Sequence, residues 1–325
     1  MAARRPAGGR AAPAARKSAR RSASPGRNGS GTFVPGFEPL ANAFEQRLAR
    51  ALRERADGPA RVGQALRYAA LSPGKRVRPL FVLAACEAVG GQWKRALPAA
   101  VAAECVHAFS LVHDDLPAMD DDDYRRGRLT THKKYGEGLG VLAGDALLAF
   151  AFEEITRLAD DGVPPARVNE AVRRLAHAAG AMQLVGGQAL DIAAEGKKPT
   201  ARLARDIHER KTGALFGASL ALGALAGDAD RHTVEALDET GRMIGLAFQI
   251  QDDLLNAGST MRALGKRAGT DAARGKATYP AAVGESRARR EAIGLLRAVR
   301  GSITRRCAKP DRLLKLIEAL AKRER

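Results

Sequence analysis

The sequence predicts an all-α protein, a single large helical bundle of about ten helices. Three observations carry that prediction. From Phe37 onward Ala, Leu, Glu and Arg dominate, β-branched clusters are few, and no stretch alternates strictly between apolar and polar. Breaks recur at intervals of mostly one helix: Gly58-Pro59, Ser72-Pro73-Gly74, Gly90-Gly91, Gly136 to Gly140, Gly162 to Pro165, Gly196 to Pro199, Gly227-Asp228, Gly258, Gly284-Glu285 and Pro310. Four intervals, residues 96–113, 139–158, 215–225 and 243–255, are apolar on more than one face. A helix that is apolar all round is one that other helices bury. With 325 residues, 45% of them hydrophobic, the chain can fill one large core, and it shows no internal repeat.

Taken in order, residues 1–36 read as a disordered basic tail and residues 37–325 as the folded domain. The tail holds Arg4, Arg5, Arg10, Arg16, Lys17, Arg20, Arg21 and Arg27 and no acid, so it carries eight of the net +18 charges. Almost no large apolar side chain precedes Phe33, too little to offset the entropy of ordering. No apolar stretch of secretory-signal type is present. The Arg- and Ser-rich start resembles an organellar transit peptide, whereas a solvated extension on a cytoplasmic protein is the plainer reading. No aromatics interleave with the arginines and no nucleic-acid-binding motif follows, so a specific nucleic-acid function is not expected.

Other classes fall away on similar grounds. The longest uncharged run, residues 212–227, is diluted by Gly and Ala and is shorter than the roughly 20 apolar residues a membrane span needs. Cys86, Cys105 and Cys307 are odd in number and far apart, which suits a reducing compartment rather than a disulfide scaffold or a zinc site. The segment from Gly269 to Ala277 looks like a phosphate-binding P-loop. It has one residue too many between its glycines, and Ala where Ser or Thr is needed.

The first chemically informative segment runs from His113 to Gly127. Asp114, Asp115, Asp120, Asp121, Asp122 and Asp123 lie directly after an apolar helix, followed by Arg125 and Arg126. Acids clustered at a helix C-terminus repel one another and face the negative end of the helix dipole. Hard divalent cations are the natural compensation, and an open carboxylate set suits Mg²⁺ shared with phosphate oxygens. The second segment is Gln249 to Asn256, where Asp252 and Asp253 arrive late in another apolar helix. Two such clusters in one bundle point to a shared purpose, two carboxylate walls gripping a diphosphate through Mg²⁺. Cations for that diphosphate stand beside helix breaks or acid clusters: Lys75, Arg76 and Arg78 in GKRVRP, Arg125 and Arg126, Lys211, Lys266 and Lys276.

On these residues the chain resembles the trans-polyprenyl diphosphate synthases, most closely those of the bacterial farnesyl diphosphate synthase type. GKRVRP (74–79), DDLPAMD (114–120) with RRG (125–127), LAGDALL (142–148), GGQALD (186–191), KTGALF (211–216), FQIQDD (248–253) and GKRAGTD (265–271) occur in family order, and only the tail is unmatched. The resemblance implies the isoprenoid synthase fold, with the helical bundle around a central cavity, a homodimer, and Mg²⁺-dependent head-to-tail condensation of isopentenyl diphosphate with an allylic prenyl diphosphate. It implies Asp114, Asp115, Asp120 and Asp252 at the metal, with Asp115 and Asp253 as secondary ligands or orienters. Arg125, Lys211 and Lys266 would neutralise the departing diphosphate, and Lys75, Arg78, His107 and Arg126 would hold isopentenyl diphosphate. The backbone oxygens of Lys211 and Thr212, with Gln249, would face the carbocation, and the released diphosphate would take the proton. One departure is Asn256, where the family's second motif usually ends in Asp; a neutral amide is the weaker Mg²⁺ ligand.

For chain length, Phe109 lies about 7.5 Å along the helix axis before Asp114. A ring there is expected to form a floor that stops elongation, since Ser110 beside it is small. Farnesyl diphosphate is the expected product, ahead of geranylgeranyl and geranyl diphosphate. A terpene cyclase would share the acidic motifs but has no use for a second diphosphate site at Lys75 and Arg78. A non-catalytic or regulatory paralogue is the remaining alternative.

Overall fold

The computed structural model describes residues 34–54, 59–198, 200–258 and 278–322. Most of the basic tail, the P-loop-like segment, Lys266 and Lys276 lie outside the described residues. Val34, assigned to the tail from sequence, is buried and its carbonyl accepts a hydrogen bond from the Phe37 amide at 3.3 Å, so it belongs to the folded body.

Among the described residues there are twelve helices of eight residues or more and two of five. In chain order they are α1 (Glu38–Arg53), α2 (Ala60–Ala70), α3 (Val77–Ala88), α4 (Leu97–Asp114), α5 (Thr131–Tyr135), α6 (Glu137–Thr156) and α7 (Pro165–Ala179). Then follow α8 (Leu184–Ala194), α9 (Ala201–His208), α10 (Ala214–Ala226), α11 (Arg231–Gly258), α12 (Tyr279–Val283), α13 (Glu285–Arg306) and α14 (Asp311–Ala321). Between α9 and α10 the residues Glu209–Gly213 widen into a π-turn. Among the described residues the only strands are those of a hairpin, β1 (Tyr124–Arg125) and β2 (Arg128–Leu129), each of two residues. Arg126 and Gly127, both with positive φ, make its two-residue turn, the geometry whose twist suits a tight hairpin.

Packing follows from sequence pattern. Every residue of α10 is buried, as its uniformly apolar sequence requires, and it packs against α3, α4, α7 and α11. Truncating Leu220 there would leave a cavity costing roughly 2–5 kcal/mol. On α1, by contrast, Leu40, Phe44, Leu48 and Leu52 recur every four residues and, with Ala41 and Ala51, make up its one buried side. The segment Trp93–Asp114 is long and apolar enough to cross a membrane by composition, yet 72% of its apolar window is buried inside the bundle, so it is a core helix. Helix α6 differs from the expectation of full burial: Val141 and Leu142 are about half exposed, because its apolar residues outnumber the neighbours that could cover them.

Candidate active site

One cavity of about 730 Å³ gathers the loop before α3, the second half of α4, the hairpin, α8, the π-turn and α11. Helix α4 turns Glu104, His107, Leu111 and Asp114 toward it, spaced by three and four residues so that they share a face. Ser110 also reaches the wall. Of the residues singled out from sequence, Lys75, Arg78, His107, Ser110, Asp114, Arg125, Arg126, Lys211, Thr212, Gln249 and Asp252 line this one space.

Phe109 does not line it. Five residues before Asp114 is about 140° around the helix, so an argument from axial distance alone misplaces the ring. Phe109 is buried in the core on another side of α4, edge-on to the His113 ring at 5.2 Å. His113 in turn is held by the Val141 carbonyl at 3.0 Å.

In each acidic pair the first aspartate faces the cavity and the second is engaged by the protein. Asp114 lines the space, and burial, reinforced by the nearby charges of Asp120 and Asp115, pushes its carboxyl up to about 6 against the pull of Lys211 and Arg125. Asp115, expected at the metal, instead receives Arg125 through Nε at 2.7 Å and Nη2 at 2.6 Å and does not line the large cavity. A buried carboxylate at a helix C-terminus needs a cation, and Arg125 supplies it. Asp120 also lies off the cavity wall, its amide donating to the Asp114 carbonyl at 2.8 Å to close the loop.

On α11, Asp252 reaches the cavity while Asp253 is a hub. Asp253 Oδ2 lies 2.9 Å from His208 Nε2 and accepts from the Tyr279 amide at 2.8 Å; Oδ1 accepts from Gln249 Nε2 at 3.4 Å. That fixes which way the Gln249 amide points, and Thr212 Oγ1 donates to Gln249 Oε1 at 3.1 Å. Asn256, one turn beyond Asp252, is half-buried.

The cations line the same cavity in two neighbourhoods: Arg78 and Arg126 act on His107, whereas Lys211 and Arg125 act on Asp114. Arg78 lies over the Phe216 ring at 4.9 Å, and its Nε is buried without a hydrogen-bond partner. Burial lowers its pKa to about 10, which Arg126 reinforces and Glu104 opposes. An unpartnered buried guanidinium edge on a cavity wall is the feature an anion would complete. His107 is held well below the ordinary histidine range by burial and then by Arg78 and Arg126, so it meets a ligand as the neutral imidazole. Lys211 donates to Asp191 Oδ2 at 2.7 Å; burial opposes its charge, but Asp191 and Asp114 overcome it and raise its pKa.

Sequence reasoning passed over several of these residues. Asp191 holds Lys211, and Gln188, one turn earlier on α8, lines the cavity with a buried and unpartnered Oε1. Their spacing in GGQALD was the available signal. Gly187 lets α8 press against the π-turn, since any side chain there would strike the Lys211 backbone. Phe216 and Phe248, 5.7 Å apart, give the cavity an aromatic wall.

Among the described residues no three His, Cys, Asp or Glu side chains converge on a metal by themselves. Asp114 and Asp252 form an open pair of hard oxygen donors instead. Such a pair fits Mg²⁺ ions whose coordination is completed by water and phosphate oxygens.

The polyprenyl synthetase family model matches residues 59–318. Farnesyl diphosphate synthase of Geobacillus stearothermophilus is 45% identical over 239 residues, covering 74% of this chain and 80% of that protein. Geranylgeranyl pyrophosphate synthase 11, chloroplastic, of Arabidopsis thaliana is 47% identical over 243 residues, covering 74% and 68%. Among solved structures, an FPP/GFPP synthase from Zymomonas mobilis superposes with a TM-score of 0.77 at 34% identity, covering 87% of this chain and 98% of that one.

Proposed function

The chain belongs to the polyprenyl synthetase family of trans-prenyltransferases, and on that premise we propose that it condenses isopentenyl diphosphate with dimethylallyl or geranyl diphosphate to give mainly farnesyl diphosphate. The observation that carries this reading is that one cavity is lined both by Asp114 and Asp252 and by Lys75, Arg78 and Arg126, more cations than one diphosphate held through the acids needs, with Arg78 and Arg126 gathered about His107 and Lys211 and Arg125 about Asp114. Two diphosphates have two places to bind. A terpene cyclase, with one diphosphate substrate, leaves the second place unexplained.

Mg²⁺ held by Asp114 and Asp252, with Asp120 near by, would neutralise the allylic diphosphate as its C–O bond breaks. Lys211, kept charged by Asp191, and Arg125, kept in place by Asp115, add positive charge on the same side. Arg78, Lys75, Arg126 and neutral His107 hold isopentenyl diphosphate so that its double bond faces the allylic carbon. The Gln249 amide, oriented by Asp253 and by the Thr212 hydroxyl, and the backbone oxygens of Lys211 and Thr212 would present oxygen dipoles to the carbon that becomes positive. The new C–C bond forms there, and the proton lost from the isopentenyl unit goes to the released diphosphate. Phe216, Phe248 and Leu111 exclude water from that charge.

What supports a C15 product is the likeness to a bacterial farnesyl diphosphate synthase; the buried Phe109 ring, off the wall of this cavity, would limit the tail only where the tail pushes past that wall. Geranylgeranyl diphosphate is the second reading, favoured by Phe109 standing off the cavity wall and by the chloroplast relative. Purified protein given Mg²⁺, isopentenyl diphosphate and geranyl diphosphate should yield a C15 alcohol after phosphatase treatment, and none in EDTA. Phe109→Ala should move the main product to C20 or longer; unchanged C15 output would remove Phe109 from chain-length control. No product at any Mg²⁺ concentration would overturn the enzyme reading for this chain.

Two further expectations belong to the same reading. Homodimerisation is supported by the half-exposed Val141 and Leu142 of α6 and by exposed Val185 and Ile192 on α8; a monomer mass by light scattering would remove it. A cytoplasmic location is supported by three buried, unpaired cysteines, and is tested by imaging a tagged full-length chain in its host.

A further inference from the structure

Arg76 lies between Lys75 and Arg78 in the cation-rich segment, yet its own charge is committed elsewhere. Its Nε donates to Glu45 Oε1 at 2.7 Å and its Nη1 donates to Glu104 Oε1 at 2.7 Å. The guanidinium is buried and stands 5.8 Å from the Phe44 ring. Its backbone is left-handed, φ 47° and ψ 40°, a conformation that costs energy for any residue with a Cβ and persists only where surroundings enforce it. The other end of the same loop is fixed as well: the Pro73 carbonyl accepts from Arg126 Nη1 at 2.8 Å, and a side chain at Gly74 would strike that guanidinium. The loop that aims Lys75 and Arg78 is therefore fastened at both ends. Half of one fastening, Glu45 with Phe44, comes from α1, which lies outside the residues the family model matches.

We propose that Glu45 is a positioning residue which, through Arg76, holds the loop in the shape that lets Lys75 and Arg78 bind the second diphosphate; this rests on the basic side of the cavity being the isopentenyl diphosphate site. Glu104 alone cannot do the same work, because one carboxylate leaves the Nε edge of Arg76 unanswered and the strained turn at liberty to relax. Glu45 is itself partly exposed, so its removal tests the loop without opening the core.

The test is Glu45→Ala in the full chain, with two readouts: steady-state kinetics in both substrates, and calorimetric titration of inorganic diphosphate in EDTA, where the acid side has no metal to bind with. The KM for isopentenyl diphosphate should rise about tenfold, as loss of a charge-assisted contact allows, with kcat and the KM for geranyl diphosphate within about twofold of wild type. Glu45→Gln keeps an acceptor for Nε and should recover most of the loss. An unchanged KM for isopentenyl diphosphate in Glu45→Ala overturns the proposal, and so does an equal rise in both KM values together with a lowered melting temperature. Absence of turnover in wild type would count against the proposed reaction alone, since weaker diphosphate binding by Glu45→Ala in EDTA still reports on the anchor.

Discussion

The two acidic clusters look alike in sequence and are built for different ends. In both, the first aspartate faces the cavity and the second is bound by the protein. At the end of α4 the bound one, Asp115, takes a charged partner, Arg125, ten residues further along, and that arginine itself lines the cavity. At the end of α11 the bound one, Asp253, takes no arginine but His208, the backbone of Tyr279 and the amide of Gln249. The first cluster thus uses its spare acid to hold a cation at the cavity wall. The second uses it to lock an uncharged dipole. The second aspartates have different partners, a guanidinium in one case and neutral groups in the other, although the motifs read as copies of one another.

The largest effect should come from the residues the clusters share in kind. Asp114→Asn and Asp252→Asn each remove a hard anionic donor, and turnover at saturating substrate should fall by about a thousandfold or more. Equal losses would show the walls acting as a unit; a mild loss at either position would show that the other carries the metal alone.

The second aspartates should separate what the first ones do not. Asp115→Asn should chiefly raise the KM for the allylic diphosphate, roughly ten- to a hundredfold, because Arg125 loses its orienting charge. Asp253→Asn should chiefly lower kcat, by roughly tenfold, because an amide in place of the carboxylate can turn its NH₂ toward the donors of Gln249 and Tyr279. If both variants change the same parameter, the contrast between the clusters fails. Steady-state kinetics in each substrate decides it.

Much of this was legible before any coordinates. Ordered motifs gathered eleven expected residues around one cavity, and apolar stretches marked α4, α6, α10 and the end of α11. What escaped was direction and distance. Phe109 was placed by its height on the helix and not by its angle, which carries it away from the cavity. For Asp115 both a place at the metal and a role as orienter were open from the motif, and the motif did not show that its partner is Arg125. The partners of Asp253 lie 45 and 26 residues away, and Glu45 lies 31 residues from Arg76; no local pattern joins them. Contacts of that range are set by how helices pack, which a linear reading of charge and periodicity does not contain.

Asn256 offers a smaller lever on the comparison. The first cluster is rich in carboxylates, whereas the second ends in an amide one turn after Asp252. Asn256→Asp adds an anionic oxygen to the weaker wall, and the Mg²⁺ concentration for half-maximal activity should fall, by about two- to fivefold, with the maximal rate little changed. No change in the Mg²⁺ requirement would mean that position 256 stands outside the metal's reach, and that the acid wall ends at Asp252.

The smallest expected effect lies on the basic side, and its value is in being close to zero. His107 is buried among Arg78 and Arg126, and both burial and those charges disfavour its protonated form. An imidazolium there would strengthen the hold on a diphosphate and be lost as pH rose through the sixes, giving a KM for isopentenyl diphosphate that climbs with pH. A neutral imidazole gives no such break, so that KM should be flat between about pH 6 and 8 apart from the ligand's own ionisation, and His107→Gln should leave the profile's shape unchanged. The same depression has the opposite signature in stability. Below about pH 6.5 the unfolded chain binds a proton at this position that the folded chain refuses, so stability falls as pH falls through that point. In His107→Gln that part of the acid sensitivity should disappear. Denaturant titrations of both proteins at pH 5 and 7 measure it: an equal loss of stability on acidification would show that His107 is protonated in the folded state, and that the basic side binds its diphosphate with one more cation than the arginines and Lys75 provide.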